Sequence, residues 1–337
     1  MSNQDFSDKR IAILAPTSTS NETGGAERFY QGLLTAIQQK VAYAELISLP
    51  TDESTFECIQ SNYDKWGSLD LSSFDMLIST KAPTYIVNHP RHVLYLVHTI
   101  RVFYDMFDEV FPNANDIVLK QREKIQSLET ETIGKVKKCY AIGHEVAARL
   151  RKWNKLDAEV LHPPLGVDAF RQDKCEEYFF MPGRLHSWKR VDLAIRAVKA
   201  SKLPLKLVIA GTGEAEADLK ALAADDSRIV FLGRVSDDEL VELYSKALAV
   251  IFVPLREDYG YVTLEAFKSG KPIITCTDSG EPLQFVKDGK SGFICNPDPK
   301  SISSTMEQVL SDKEKMIVMG LNGMKSIAHI TWPNVAN

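Results

Sequence analysis

Between residues 178 and 295, short apolar runs alternate with stretches of helical period, and this alternation constrains the fold more than any other feature of the chain. The runs are Tyr178-Phe179-Phe180-Met181, then residues 205–210, 229–232, 249–253, 272–276 and 292–295. Each is short, apolar and bounded by polar or turn-forming residues, which predicts a buried strand. The segments between them have room for helices, and one opens with the capping box Ser236-Asp237-Asp238-Glu239. Strand and helix in strict alternation require a parallel sheet with right-handed crossovers.

The first half repeats the pattern less regularly. Arg10-Ile11-Ala12-Ile13-Leu14-Ala15 predicts a first strand, and a polar loop over residues 17–23 leads to Gly24 and Gly25. Residues 26–39 then show helical spacing through Phe29, Leu33, Leu34 and Ile37. Further strands are expected at 43–49, 75–79, 93–97 and 139–142, with a long helix over 114–132. Strand, glycine loop, helix is the opening of a doubly wound α/β domain, whose ligands sit at the carboxyl ends of strands. Gly24 and Gly25 let the backbone approach a bound group closely, or make a plain tight turn. No G-x-G-x-x-G follows the strand, so a dinucleotide fingerprint is absent. Leu161-His162-Pro163-Pro164-Leu165-Gly166 is stiffened by two prolines and can bend at its glycine, and charge density rises from Arg171. Two domains are therefore expected, residues 1–170 and 171–337.

The bulk numbers exclude several classes. With 337 residues, 44% hydrophobic and 25% charged, the composition is that of a globular chain long enough for two domains. A net charge of −5 argues against a nucleic-acid binder acting through overall charge. No apolar run approaches the roughly 18 residues that span a bilayer. The polar start offers no signal core, so a cytoplasmic location is expected. Five cysteines are scattered without a C-x-x-C pair, which supports neither zinc nor a disulfide framework. Residues 134–155 hold seven basic side chains (Lys135, Lys137, Lys138, Arg149, Arg151, Lys152 and Lys155) against one acid, Glu145. This is either a solvated helix face or a patch resting peripherally on an anionic membrane, where each cation is worth about 1 kcal/mol.

The chemistry concentrates in Arg256-Glu257-Asp258-Tyr259-Gly260-Tyr261-Val262-Thr263-Leu264-Glu265-Ala266-Phe267, directly after a predicted strand. Gly260 sits where a turn would hand over to a helix, so the amides of Gly260, Tyr261 and Val262 would point outward with the positive end of its dipole. Such a place holds a phosphate or a polyhydroxylated ring. On spacing alone, Glu257 and Glu265 are equally well a loop charge and a solvated helix acid.

This stretch resembles the E-x7-E element of the retaining glycosyltransferases of family 4, the glycosyl transferases group 1. Ser269-Gly270-Lys271-Pro272-Ile273-Ile274, Asp278-Ser279-Gly280-Glu281-Pro282, Gly183-Arg184 with Lys189, and Gly24-Gly25-Ala26-Glu27 are similar to that family too, as is the joining segment 161–168. The resemblance implies an α/β protein of GT-B fold, two facing Rossmann-like domains with the active site in the cleft between them. It also implies a helix near Trp332 that crosses back to the first domain.

The implied activity is transfer of a sugar, with retention, from a nucleotide-diphosphate sugar (UDP- or GDP-linked) to a sugar or lipid-linked acceptor. Arg184 and Lys189 would stabilise the leaving diphosphate; ion pairing with surface acids is their plainer reading. Glu265 would accept from the ribose hydroxyls, and Glu257 would lie nearer the sugar with Tyr259 and the helix-start amides. Gly211, Gly213, Arg234 and Val235 would border the phosphate and base. His98, which follows a strand, would lie near donor and acceptor, or else be a satisfied structural histidine. Arg101 and Lys81 are further acceptor-side candidates. No Asp-x-Asp occurs, so no metal and no other cofactor is expected. A nucleotide-sugar epimerase or phosphorylase of the same fold, or a non-catalytic nucleotide-sugar-binding partner subunit, is the alternative.

Overall fold

The computed structural model describes residues 6–18, 25–166, 169–202, 204 and 206–337. The chain divides into two units, one of Met1–Gly166 with Ile330–Asn337 and the other of Val167–His329. Each is a parallel sheet covered by helices.

In the first unit the strands are β1 (Arg10–Leu14), β2 (Tyr43–Ile47), β3 (Met76–Ser79), β4 (His92–Leu96), β5 (Lys138–Ala141) and β6 (Glu159–Val160). They pair in the order β2-β1-β3-β4-β5-β6, all parallel. Ile11, Ala12, Ile13 and Leu14 are buried, as a central strand covered on both faces must be. The order reverses between β1 and β3, so Gly25, which opens the helix Gly25–Gln38, and Lys81 follow the strands that flank the reversal. Gly24 lies outside the described residues.

The second unit contains β7 (Tyr178–Pro182), β8 (Lys206–Ala210), β9 (Ile229–Gly233), β10 (Ala249–Ile251), β11 (Ile273–Cys276) and β12 (Gly292–Cys295). Their order is β9-β8-β7-β10-β11-β12, again all parallel, with Phe179 opposite Ala249 and Phe180 opposite Val250. Phe179, Ile195, Leu207, Ile209 and Ile274 form the centre of its core, each 0% exposed. Both sheets are doubly wound, as the strand–helix alternation of the sequence predicts.

The division differs from the one drawn at residue 170. The second unit begins at Val167, and residues 330–337 cluster with the first unit instead of the second. The cause is local packing. The ring of Trp332 lies so close to Gly32 that a Cβ there would stand 2.1 Å from it, and it also packs on Phe29 at 6.2 Å between centroids. Apolar contact with the helix Gly25–Gln38 outweighs adjacency in sequence.

Four of the seven basic residues of the stretch 134–155 are paired with acids. Lys135 pairs with Glu131 at 2.7 Å, Lys138 with Glu159 at 2.6 Å and Arg151 with Asp157 at 2.6 Å, all acids outside the stretch. Arg149 is buried and pairs with Asp105 at 2.8 Å. Among the described residues no helix is long and apolar enough to cross a membrane.

One buried acid anchors the first unit. Glu129, on the helix Asp116–Ile133, is wholly buried and accepts hydrogen bonds from the phenols of Tyr63 (2.7 Å), Tyr85 and Tyr104. Burial raises its pKa above the usual carboxyl value, against the lowering effect of the three phenols. The folded chain thus holds this proton more tightly than the unfolded one. That contribution to stability is complete below the unfolded pKa of about 4.3 and is lost as the pH rises through the higher folded value. In Glu129→Gln it is absent, so the melting temperature of the variant should gain on the wild type as the pH is raised. Parallel pH profiles in thermal melts would refute the assignment.

Candidate active site

The order of the second sheet reverses between β7 and β10, and ligands of open α/β sheets bind outside the carboxyl ends of strands at such a reversal. The loop after β7 carries Gly183, Arg184 and Lys189; the loop after β10 carries Glu257. Lys189 closes a short 3-10 turn, Ser187–Lys189, one step before the expected helix, which begins at Val191. Its ammonium donates to the Glu257 carboxylate at 2.5 Å, with the side chains 29% and 19% exposed. The two residues, 68 apart in sequence, form one half-buried ion pair.

Glu257 is held from behind by main chain. Arg256 N–H donates to Asp278 C=O at 3.0 Å and Glu257 N–H to Ser279 C=O at 2.9 Å, while Glu281 N–H donates to Glu257 C=O at 2.9 Å. This extends the pairing of β10 with β11 beyond both strands. Gly280 has φ +80°, and a Cβ on it would meet Glu257 backbone at 2.6 Å, so only glycine fits the contact. Leu255 N–H donates to Trp188 C=O at 2.8 Å, tying the first loop to the second.

Arg184 is 65% exposed and reaches Glu214 at 3.4 Å; His186 approaches the same acid at 3.2 Å. Each of the two predicted cations therefore has a carboxylate beside it. The backbone beneath them is close-packed. Leu185 N–H donates to Thr212 C=O at 2.9 Å, and Gly211 N–H to Gly233 C=O at 2.7 Å. The latter contact brings the ends of β8 and β9 together, with exposed Arg234 and half-buried Val235 just beyond.

The helix Tyr261–Lys268 starts at Gly260, whose φ of +79° and missing side chain leave the first turn without a side-chain cap. Tyr261 and Val262 supply the first amides of that turn. Tyr259 is buried and packs edge-on against Tyr261 at 4.9 Å and Phe285 at 5.7 Å, so its ring braces the loop. One turn inside the helix, Glu265 accepts from the Tyr244 hydroxyl at 2.6 Å. Tyr244 is wholly buried, and burial followed by the Glu265 charge drives its pKa well above the phenol norm, which keeps it a donor.

Sequence reasoning missed Tyr244, Arg190 and the role of Asp278. Arg190 donates to Val253 C=O at 2.7 Å, Pro254 C=O at 2.8 Å and both Asp278 oxygens at 2.7 and 2.6 Å. Adjacency to Lys189 was its one signal in the sequence.

Among the candidates of the first unit, His98 is half-buried, its Nδ1 2.9 Å from Thr99 C=O. Arg101 pairs with Asp105 at 2.7 Å, sharing that acid with buried Arg149, which ties it into its own unit. Lys81 lies just past β3, its carbonyl accepting from Thr84 N–H at 2.8 Å.

The ion pair at the strand reversal and the uncapped glycine-started helix lie where ligands of open α/β sheets bind. Residues 168–326 match the family Glycosyl transferases group 1. The alpha-1,3/1,6-mannosyltransferase ALG2 of Homo sapiens is 25% identical over 66% of this chain and 62% of its own length. The D-inositol 3-phosphate glycosyltransferase of Mycolicibacterium smegmatis is 31% identical over 46% of this chain and 40% of its own. The chain spans less than two thirds of the length of these relatives. Sucrose-phosphate synthase from Thermosynechococcus elongatus shares the fold with TM-score 0.77 at 15% identity, over 97% of this chain and 96% of that one. Anabaena HepE does so with TM-score 0.72 at 13% identity, over 97% of both.

Gly211 tests the close packing. It has φ +137°, and a Cβ on it would lie 2.0 Å from the Gly183 carbonyl oxygen. Gly211→Ala should cost about 3 kcal/mol through left-handed strain and the clash. Denaturant unfolding measures this, and an unchanged midpoint would show that the two loops are free to separate.

Proposed function

We propose that the chain is a retaining, metal-independent glycosyltransferase. It moves a sugar from a nucleotide-diphosphate sugar, UDP- or GDP-linked, to a hydroxyl of a glycan, a lipid-linked or a small-molecule acceptor. The observation that carries this reading is the Lys189–Glu257 pair at the strand reversal of a glycosyl transferases group 1 domain. The solved structures of HepE with UDP and with UDP-glucose, and the mannosyltransferase relatives, support the donor class.

When the bond between sugar and diphosphate breaks, negative charge grows on the leaving oxygen. Cations fixed there bind the transition state more tightly than the ground state. Lys189 brings a point charge, and Arg184 a planar fork suited to a phosphate. Both rest against carboxylates, and an arriving diphosphate competes with those acids for them. The uncapped amides at Tyr261 and Val262 add partial positive charge. Glu265, oriented by Tyr244, accepts from the ribose, while Glu257 faces the sugar as its anomeric carbon turns cationic. In front-face attack the departing phosphate takes the acceptor proton, so no protein base is called for. His98, Arg101 and Lys81 belong to the acceptor-side unit in this reading. The sequence has no Asp-x-Asp to hold a metal at the diphosphate, which is why the cations are assigned that work.

Arg184→Ala and Lys189→Ala should each lower turnover by roughly 10²–10³-fold in EDTA-containing buffer, with the fold intact by circular dichroism. Full activity in either variant, or wild-type activity that EDTA abolishes and Mn²⁺ restores, would refute the mechanism.

Glu265→Gln and Glu257→Gln should fail differently. Ribose contacts are nearly equal in ground and transition states, so Glu265→Gln should mainly raise the donor KM. Loss of a charged hydrogen bond worth about 1.5–3 kcal/mol corresponds to about ten- to a hundredfold. Glu257→Gln should fall on kcat, with nucleoside diphosphate binding by calorimetry little changed. The reverse pattern would swap the two roles.

A further inference from the structure

We propose that Arg190 is the positioning residue of this site: its guanidinium clamps the loops after β10 and β11 together and so holds Glu257 against Lys189. The inference rests on the transferase reading for its kinetic consequence, and on geometry alone for the clamp.

Four hydrogen bonds of 2.6–2.8 Å leave this one side chain. Two go to the carbonyls of Val253 and Pro254, where the chain leaves β10 toward Glu257. The other two grip Asp278, where the chain leaves β11, in a bidentate fork. Asp278 is also the residue whose carbonyl accepts from Arg256 N–H at 3.0 Å, so side chain and main chain of one residue serve the same junction. Arg190 itself follows Lys189 directly. A displaced guanidinium would therefore move the ammonium through the backbone and the carboxylate through both loops.

The backbone argues the same way. Among the described residues only Lys155, Arg190 and Arg256 are non-glycine residues with positive φ, at 60°, 51° and 47°. Two of the three flank the Lys189–Glu257 pair in sequence. A left-handed conformation suits glycine and strains any other residue. Strain of this kind persists where the surroundings over-determine it, and it clusters at functional sites. An ordinary exposed ion pair contributes little and would not justify an arginine here. The Arg190 side chain is only 15% exposed, and two of its four acceptors are main-chain carbonyls.

Arg190→Gly suits the left-handed backbone, so it separates the clamp from the fold, and Arg190→Lys keeps the charge without the fork. In Arg190→Gly, kcat should fall by about 10–100-fold, the scale of a small misplacement of reacting groups. Donor KM and the Kd for UDP or GDP by calorimetry should stay within about twofold, because the ribose and base are held elsewhere. Amide exchange of the unliganded protein should accelerate at Arg256 and Glu257 and stay unchanged in β7. Millimolar guanidinium should restore part of kcat, and Arg190→Gly with Asp278→Asn should be no worse than Arg190→Gly alone. Arg190→Lys should recover little. Turnover within about twofold of wild type in both variants, or unchanged exchange in the two loops, would overturn the proposal. A wild type that transfers no sugar from UDP-, GDP- or ADP-linked donors would sink the functional reading instead, and the exchange result would then decide the clamp by itself.

Discussion

Two loops joined main chain to main chain set everything else at this site. The segments that leave β10 and β11 continue the parallel pairing of their strands, with Arg256 and Glu257 donating to Asp278 and Ser279 and Glu281 donating back. A carboxylate on a free loop would wander over several ångströms. Glu257 instead inherits the rigidity of a sheet, which lets one ammonium meet it at a fixed distance. The glycine at 280 is the cost of that closeness, since no side chain fits between the two backbones.

The charges follow from this scaffold. Lys189 and Glu257 are each more than two thirds buried and meet in one ion pair. Arg184 and Glu214 are exposed, where a pair of this kind contributes at most about 1 kcal/mol. The two cations thus differ in kind. One belongs to a half-buried pair at 2.5 Å, whereas the other sits in an exposed pair at 3.4 Å.

Much of the fold was legible because buried parallel strands announce themselves as apolar runs, and the doubly wound order follows from their alternation with helices. The strands of the second unit lie within a few residues of their predicted limits for that reason. What sequence could not supply was spatial neutralisation. Seven cations within 134–155 looked like a charged surface, yet Glu131, Glu159, Asp157 and Asp105 lie outside that stretch and are brought to four of them by folding. The site shows the same gap. Lys189 and Glu257 were separately visible, but only through the family resemblance of the motifs that hold them. Tyr244 behind Glu265 and the fork from Arg190 to Asp278 were not, since nothing in local pattern reports a contact 21 or 88 residues away. The return of a helix at Trp332 was implied by the family resemblance, but a single boundary drawn from charge density could not represent it, and its contact with Gly32 was not visible.

The ladder beneath Glu257 also limits how such a chain can diverge. Surface loops ordinarily tolerate insertions and deletions. Here an extra residue between Val253 and Glu257 would shift the register against Asp278 and Ser279 and turn the carboxylate to the opposite face of the pairing. Divergence in this loop is therefore confined to substitutions, while length variation is left to segments that carry no cross-loop hydrogen bonds.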